Sequence, residues 1–303
     1  MLLGLIASGL ILVGCGPGTP ASTGSRSAGA IVAVGAENEY ADVIGQIGGR
    51  YVRVSAIESN PNADPHSFEA SPSVAGVIGS ARVVVQNGLG YDSFMNDIEA
   101  ATAGSGRRVI DVQKLLGLPD STANPHLWYM PGTMALVAAA VARDLAAIEP
   151  RHAAYFEANV AGFDRSLEPW HAALADFARR FPGTPVATTE PVGDYMLEAA
   201  GCDDVSPLTL QSEIMNGVDP APQDVTLENG LLSGRRVRVF VYNQQVTDSL
   251  TADFLAQARR SGVPVVGVYE TMPAPGYDYQ SWMLAEVRAL EKAVADRVST
   301  ERL

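Results

Sequence analysis

The sequence predicts an α/β protein made of two βα lobes, each on a parallel sheet, joined by one long rigid helix. Three observations carry this. Short β-branched runs alternate with helical stretches in both halves of the chain. An Ala-rich helical block without strand signals separates the two halves. The 303 residues, 47% hydrophobic and 18% charged, suffice for two medium cores. The expected division is an N-terminal lobe over 30–148, a linker helix over 149–181, and a C-terminal lobe over 182–303 that ends in a helix.

Leu2 to Val13 is an unbroken run of apolar or small residues. It is shorter than the ~20 residues a membrane span requires and has the length of a secretory h-region, so residues 1–14 read as a signal peptide. The run ends in Leu12-Val13-Gly14-Cys15, which resembles a bacterial lipobox, where cleavage precedes a lipidated cysteine. No Lys or Arg precedes Cys15, so the natural start is expected upstream of Met1. Residues 16–29, rich in Gly, Pro, Ser, Thr and Ala, read as a flexible tether of about 20 Å. With Cys15 lipidated, Cys202 is the one remaining thiol, a packing residue, and no internal disulfide is expected.

In the first lobe, Ile31 to Gly35 and Tyr51 to Ile57 read as strands with a helix near Glu39 to Ile47 between them. Strands at Arg82 to Gln86 and Arg108 to Asp111 flank a helix over Asp92 to Ala101. From Thr133 to Phe181 the pattern is helical, broken at Glu149-Pro150 and interrupted at Pro169; Arg151 to Arg180 is the spine between the lobes. The second lobe begins with a strand at Pro185 to Thr188 and a helix carrying Tyr195 and Met196. A strand near Asp204 to Leu208 and a long loop from Ser206 to Pro222 follow. The clearest later strands are Val237 to Asn243 and Val263 to Glu270, and the last helix runs from about Gln280 to Val298.

The formal net charge of −13 argues against a nucleic-acid partner, whose phosphates need a basic face, and it disfavours anionic lipid. The chain has only four histidines, and two of them follow a proline: Asp64-Pro-His-Ser-Phe-Glu69 and Asn124-Pro-His-Leu-Trp128. Proline fixes its own φ and pushes the preceding residue out of the α region, so both imidazoles sit on stiff turns. Phe68 and Trp128 are placed to pack beneath those turns. Such a pair is either two unrelated loops or half of a shared metal site. His152 and His171, nineteen apart on the spine, do not match an i,i+4 metal pair and read as surface or packing residues. Glu190 and Glu270 end strands in the second half. Either complements a helix dipole or, with His66 and His126, completes a set of two imidazoles and two carboxylates suited to Mn²⁺, Zn²⁺ or Fe²⁺.

Together the two Pro-His turns, the spine, Thr189-Glu-Pro191 and Tyr269-Glu-Thr271 resemble the zinc/manganese solute-binding lipoproteins of ABC importers, the TroA/ZnuA type, from about Ile31 to the last helix. The resemblance implies one metal in the interlobe cleft, with His66, His126, Glu190 and Glu270 as first to fourth ligands. It also implies a permease partner, a lipid anchor on the outer face of the cell membrane, and no catalysis; a monomer is expected. Zinc members usually carry histidine at the position of Glu190, and manganese members aspartate at that of Glu270, so the cargo stays open between Zn²⁺ and Mn²⁺. A siderophore or haem receptor and a metallohydrolase are the competing functions, although aromatics are only 7% and no HExxH motif is present. If each lobe supplies two ligands, the metal is expected to be the only strong tie across the cleft.

Overall fold

The computed structural model describes residues 29–102, 106–273 and 275–303; the expected signal peptide, Cys15 and the tether through residue 28 lie outside the described residues. β1 (Ile31–Glu37), β2 (Val52–Glu58), β3 (Val83–Gln86) and β4 (Arg108–Asp111) form a wholly parallel sheet in the order β2-β1-β3-β4. β3 is buried along its length, as expected of an apolar run covered on both faces. The connections carry α1 (Asn38–Gly48), α2 (Pro72–Ser80) and α3 (Phe94–Ala101), and α4 (Val112–Leu116) follows β4. Pro72 occupies the first turn of α2, where a missing N–H costs nothing, and Asp111 caps α4 by accepting from the Lys114 N–H.

α5 (Thr133–Ile148) and α6 (Ala153–Arg180) are separated at Glu149-Pro150 as expected. α6 has 28 residues and is therefore about 42 Å long. Pro169 does not interrupt it: Phe163, Leu167, Trp170 and Leu174 continue one buried stripe through the proline, and that packing outweighs one lost backbone hydrogen bond.

The second sheet repeats the first: β5 (Thr184–Thr188), β6 (Cys202–Asp204), β7 (Val239–Asn243) and β8 (Val265–Val268) are parallel in the order β6-β5-β7-β8. Around it lie α7 (Asp194–Ala199), α8 (Leu208–Met215), α9 (Pro222–Ser233), α10 (Ser249–Ser261) and α11 (Tyr279–Asp296). Asp248 and Asp278 open α10 and α11 with capping boxes. Three expectations need correction. The strand read near 204–208 lies earlier, at β6, because Pro207 precedes the start of a helix. The supposed loop after Ser206 contains α8, whose Leu210 and Ile214 bury one face at helical spacing. Glu270 stands two residues past β8 rather than inside a strand.

The lobes are not independent bodies. One apolar core runs from the first sheet through α1, α5, α6 and α11 into one face of the second sheet, and includes Trp128, Trp170 and Trp282. α8, α9 and α10 cover the other face of the second sheet, and α2 and α3 that of the first. No helix among the described residues is long and apolar enough to cross a membrane.

Candidate metal centre

Both Pro-His turns are built by the residue before the proline. The Asp64 carboxylate accepts from the His66 N–H at 2.8 Å, and Asn124 Oδ1 accepts from the His126 N–H at 3.0 Å. Asn124 does more than form the turn. Its Nδ2 donates to the Pro191 carbonyl at 2.6 Å, which fixes the amide so that Oδ1 also faces His126 Nδ1 at 2.8 Å. The proton of a neutral His126 therefore sits on Nδ1, and Nε2 presents a lone pair. Trp128 packs edge-on beneath the ring, with centroids 5.4 Å apart. Phe68 instead packs against Phe94.

The second lobe brings carboxylates to the same point because β5, β7 and β8 are neighbours and their carboxyl ends adjoin. Glu270 Oε2 lies 3.0 Å from His66 Nε2 and 3.2 Å from His126 Nε2, and accepts from the Tyr91 hydroxyl at 3.0 Å. His66 Nε2 is buried and forms no well-directed hydrogen bond despite that distance. Ligand atoms of His66, His126 and Glu270 all lie within 4.8 Å of one another. Glu190 stands outside this triad. The Asn243 amide at the end of β7 donates to Glu190 Oε1 at 3.1 Å and to Glu270 Oε1 at 2.7 Å, and Glu190 Oε2 is buried without a partner.

The electrostatics divide the four groups. Burial pushes the Glu270 carboxyl up, but the imidazoles of His126 and His66 pull it down more strongly and leave it below the usual carboxylate range. Burial holds His126 below its ordinary value despite Glu270; at His66 burial pulls the same way, but Glu270 and Asp64 raise it overall. Burial, followed by the charge of Glu270, pushes Glu190 well above the usual range, so it holds a proton when no cation is near. A polar mouth of about 430 Å³ opens on His66, between the Asp64 to Phe68 turn, the Gly90 to Phe94 segment and the Met215 to Gly217 turn of the other lobe.

His152 and His171 are remote from this point. His152 stacks on Tyr51 with centroids 3.8 Å apart, and His171 lies exposed against Trp170. Several residues at the centre were not anticipated. Tyr91 is presented by Gly88-Leu89-Gly90, three consecutive residues at positive φ, and a Cβ on Gly88 would come within 2.8 Å of Gln113 Cβ. The Gly-Leu-Gly run after a strand was the available signal. Gln245 and Asn38 grip the Glu270 turn: Gln245 Oε1 accepts from the Glu270 and Thr271 N–H groups, and Asn38 exchanges two hydrogen bonds with the Met272 backbone. Glu37, Glu39 and Glu58, at and just beyond the carboxyl ends of β1 and β2, form a buried acidic group with Asp92, which follows β3. The Tyr129 hydroxyl donates to the Tyr269 carbonyl at 2.8 Å, and that of Tyr195 to the Asn124 carbonyl at 2.9 Å. The expectation that a metal would be the only strong tie across the cleft is thus wrong: buried hydroxyls and amides already join the lobes.

Imidazoles from one parallel-sheet lobe, carboxylates from the other and a long helix behind both define a cleft protein suited to binding a cation. The chain belongs to the family described as zinc-uptake complex component A, periplasmic, whose model matches residues 34–293. The manganese-binding lipoprotein MntA of Bacillus subtilis (strain 168) is 26% identical over 178 residues, 55% of this chain and 57% of that protein. The chain therefore spans little more than half the length of that relative in the match. The crystal structure of ZnuA superposes with a TM-score of 0.72 at 21% identity, covering 88% of this chain and 100% of that one. The periplasmic zinc binding protein TroA from Treponema pallidum gives 0.73 at 17% identity, covering 89% and 100%. The SBP FpvC from Pseudomonas aeruginosa in complex with Mn²⁺ gives 0.70 at 20%, covering 88% and 99%. At these identities the solved structures establish the fold.

Proposed function

We propose that the protein is an extracytoplasmic solute-binding lipoprotein that captures one Mn²⁺ or Zn²⁺ in the interlobe cleft and delivers it to an ABC import permease. His66, His126, Glu190 and Glu270 are the ligands in this reading. One observation carries it: His126 Nε2 and His66 Nε2 converge on the buried Glu270 Oε2 at 3.2 and 3.0 Å, with Asn124 Oδ1 facing the other ring nitrogen of His126 at 2.8 Å. Without metal a proton shared between these atoms holds them together; a divalent cation takes its place and is coordinated by the same nitrogens and oxygen. Glu190 joins by losing its proton to the arriving cation; its unpartnered Oε2 supports this role. Two nitrogens and two carboxylates suit Mn²⁺, Zn²⁺ or Fe²⁺, and the Irving–Williams order favours Zn²⁺ in affinity whatever the physiological cargo.

The ligand atoms of His126 and Glu270 are completely buried, which disfavours an organic chelate or haem at this point and an open hydrolytic position. The protein acts by binding and release, without catalysis. Cys15 carries the lipid that anchors the protein outside the membrane, and the protein works as a monomer. The lobe limits of 30–148 and 182–303, with 149–181 as linker, belong to the same reading. The test is elemental mass spectrometry of chelator-stripped protein after dialysis against controlled Mn²⁺ and Zn²⁺. One equivalent per chain in the wild type and none in His126→Ala is expected; a wild type that retains no metal overturns the proposal.

A further inference from the structure

We propose that Gln245 is a positioning residue that locks the Glu270 turn of one lobe to the His66 loop of the other, and thereby sets how fast bound metal leaves. The kinetic part rests on the metal-binding reading above; the link itself does not.

Gln245 lies two residues beyond the end of β7 and is buried. Both ends of its amide are used. Oε1 accepts from the Glu270 N–H at 2.6 Å and the Thr271 N–H at 2.8 Å. Nε2 donates across the cleft to the Ala63 carbonyl at 2.7 Å, and to Thr271 Oγ1 at 3.1 Å. Two N–H groups on one side and a carbonyl on the other permit only this amide orientation. The Gln245 N–H also donates to Asn243 Oδ1 at 3.0 Å, so the same turn orients the amide that bridges Glu190 and Glu270.

Other groups hold the Glu270 turn, and Tyr91, which donates to the Glu270 carboxylate, packs edge-on against the His66 ring, but none of them hydrogen-bonds the backbone of the His66 loop. Tyr129 and Asn38 grip Tyr269 and Met272 from the first lobe. Among the described residues, Gln245 supplies the hydrogen bonds between the Asn60 to Ser67 segment and the second lobe, apart from the contact of His66 with Glu270 itself. Ala63 is three residues from His66, and the intervening Pro65 stiffens the connection. Holding the Ala63 carbonyl therefore holds the imidazole.

His66 is also the candidate ligand at the mouth, with a side chain 20% exposed, whereas that of His126 is fully buried and clamped by Asn124. Release begins where a ligand can swing outward. Gln245 restrains that movement.

Gln245→Glu separates the two functions of the side chain. Ionised, a carboxylate still accepts from the Glu270 and Thr271 N–H groups but has nothing to donate to the Ala63 carbonyl, whereas its neutral acid can donate there, so exchange is compared from about pH 6 to 9. Gln245→Leu removes both. The first measurement is amide hydrogen exchange in metal-free protein. In Gln245→Glu the Ala63 and His66 amides should exchange faster while those of Glu270 and Thr271 keep wild-type protection; in Gln245→Leu both sets should exchange faster. The second is stopped-flow release of Mn²⁺ or Zn²⁺ into excess chelator. Losing one buried hydrogen bond should speed release about tenfold in Gln245→Glu, and more in Gln245→Leu, with the association rate near wild type. Unchanged loop exchange in Gln245→Leu overturns the link. Faster loop exchange with a wild-type release rate, in a wild type that does bind metal, overturns its control of release. A wild type that takes up no metal overturns the metal reading and its kinetic consequence, while the exchange experiment still decides the link.

Discussion

His66 and His126 stand on matching turns, each with an Asx-type hydrogen bond to its own N–H from the residue before the proline. Around the rings the match ends. Tyr91 packs against both, but Asn124 holds His126 at both the backbone and Nδ1, Trp128 packs against its ring, and its side chain is sealed from solvent. His66 has an aspartate that reaches only its backbone, and it borders the mouth. A turn motif repeated along a chain sets where an imidazole starts; the neighbours that reach the ring decide whether it is fixed or free to move. If both are ligands, as proposed, one fixed and one movable imidazole suit a protein that must hold an ion and later surrender it.

The largest effects should come from the fixed side. His126→Ala and Glu270→Gln should each weaken Mn²⁺ or Zn²⁺ binding more than about 100-fold, beyond the roughly 10–100-fold typical of residues that only orient a ligand. His66→Ala should lose less, because it removes the one imidazole not clamped at its second nitrogen. Competition titration against a chelator of known affinity measures all three. Equal losses at the two histidines would show that the asymmetry does not extend to binding.

The next comparison is between the orienting residues. Asn124→Ala frees the His126 ring and its tautomer and should cost about 10–100-fold in affinity. Asp64→Ala removes one backbone hydrogen bond, worth about 1 kcal/mol of stability, and should change affinity only a few-fold. Isothermal titration and thermal melting of the two variants separate these outcomes; an Asp64→Ala defect as large as that of Asn124→Ala would mean the aspartate also orients the ring.

Stability and binding should respond to pH in opposite directions. Burial pushes Glu58 up to about 9 and Glu39 up to about 8. Unfolded, both ionise near pH 4.3. Between about pH 6.5 and 9 the folded chain therefore holds protons that the unfolded chain has released, and stability falls as pH rises. His66, raised in the fold, acts in the same direction above its unfolded value of about 6.5, whereas the lowered Glu270 matters only below about pH 4. The metal-free melting temperature should drop by several degrees from pH 6.5 to 9, and Glu58→Gln should flatten the slope. Metal affinity should rise over the same range, since Glu190 gives up its proton to bind. A melting temperature that climbs with pH would contradict the protonation of the buried acids.

Much of this site was legible in the chain, for identifiable reasons. Proline before histidine is a local signal, and Glu190 and Glu270 follow runs that read as strands, so chain order alone placed four candidates near strand ends. Asn243, Gln245 and Asn38 were not legible, because an isolated amide has no periodic or turn signature; Tyr91 had only the Gly-Leu-Gly run before it as a signal. The roles of Asn243 and Gln245 arise from the β6-β5-β7-β8 order, which sets the end of β7 between the Glu190 and Glu270 turns, and those of Asn38 and Tyr91 from the carboxyl ends of β1 and β3 in the facing sheet. α8 was missed because Pro207 and the polar residues after it resemble loop, while the burial of Leu210 and Ile214 is a tertiary fact. The lipid anchor was read from residues that the structure does not describe.

The smallest effects should come from the other two histidines, and they test whether histidine content alone governs metal uptake. His152 precedes α6 and lies face to face with Tyr51, with rings inclined by 16°. His171 lies within α6, exposed beside Trp170. Neither belongs to the cluster of ligand atoms formed by His66, His126 and Glu270. His152→Ala removes one aromatic contact and should cost about 0.5–1.5 kcal/mol of stability at most, while His171→Ala, at an exposed position, should stay within about 0.5 kcal/mol. Both should show the wild-type rise in melting temperature at subsaturating Mn²⁺ or Zn²⁺, because that rise depends on the ratio of free metal to Kd and neither residue touches the cleft. Loss of the metal-induced shift in His152→Ala would mean that the spine contributes to binding, and the division between a cation-holding cleft and a supporting helix would have to be abandoned.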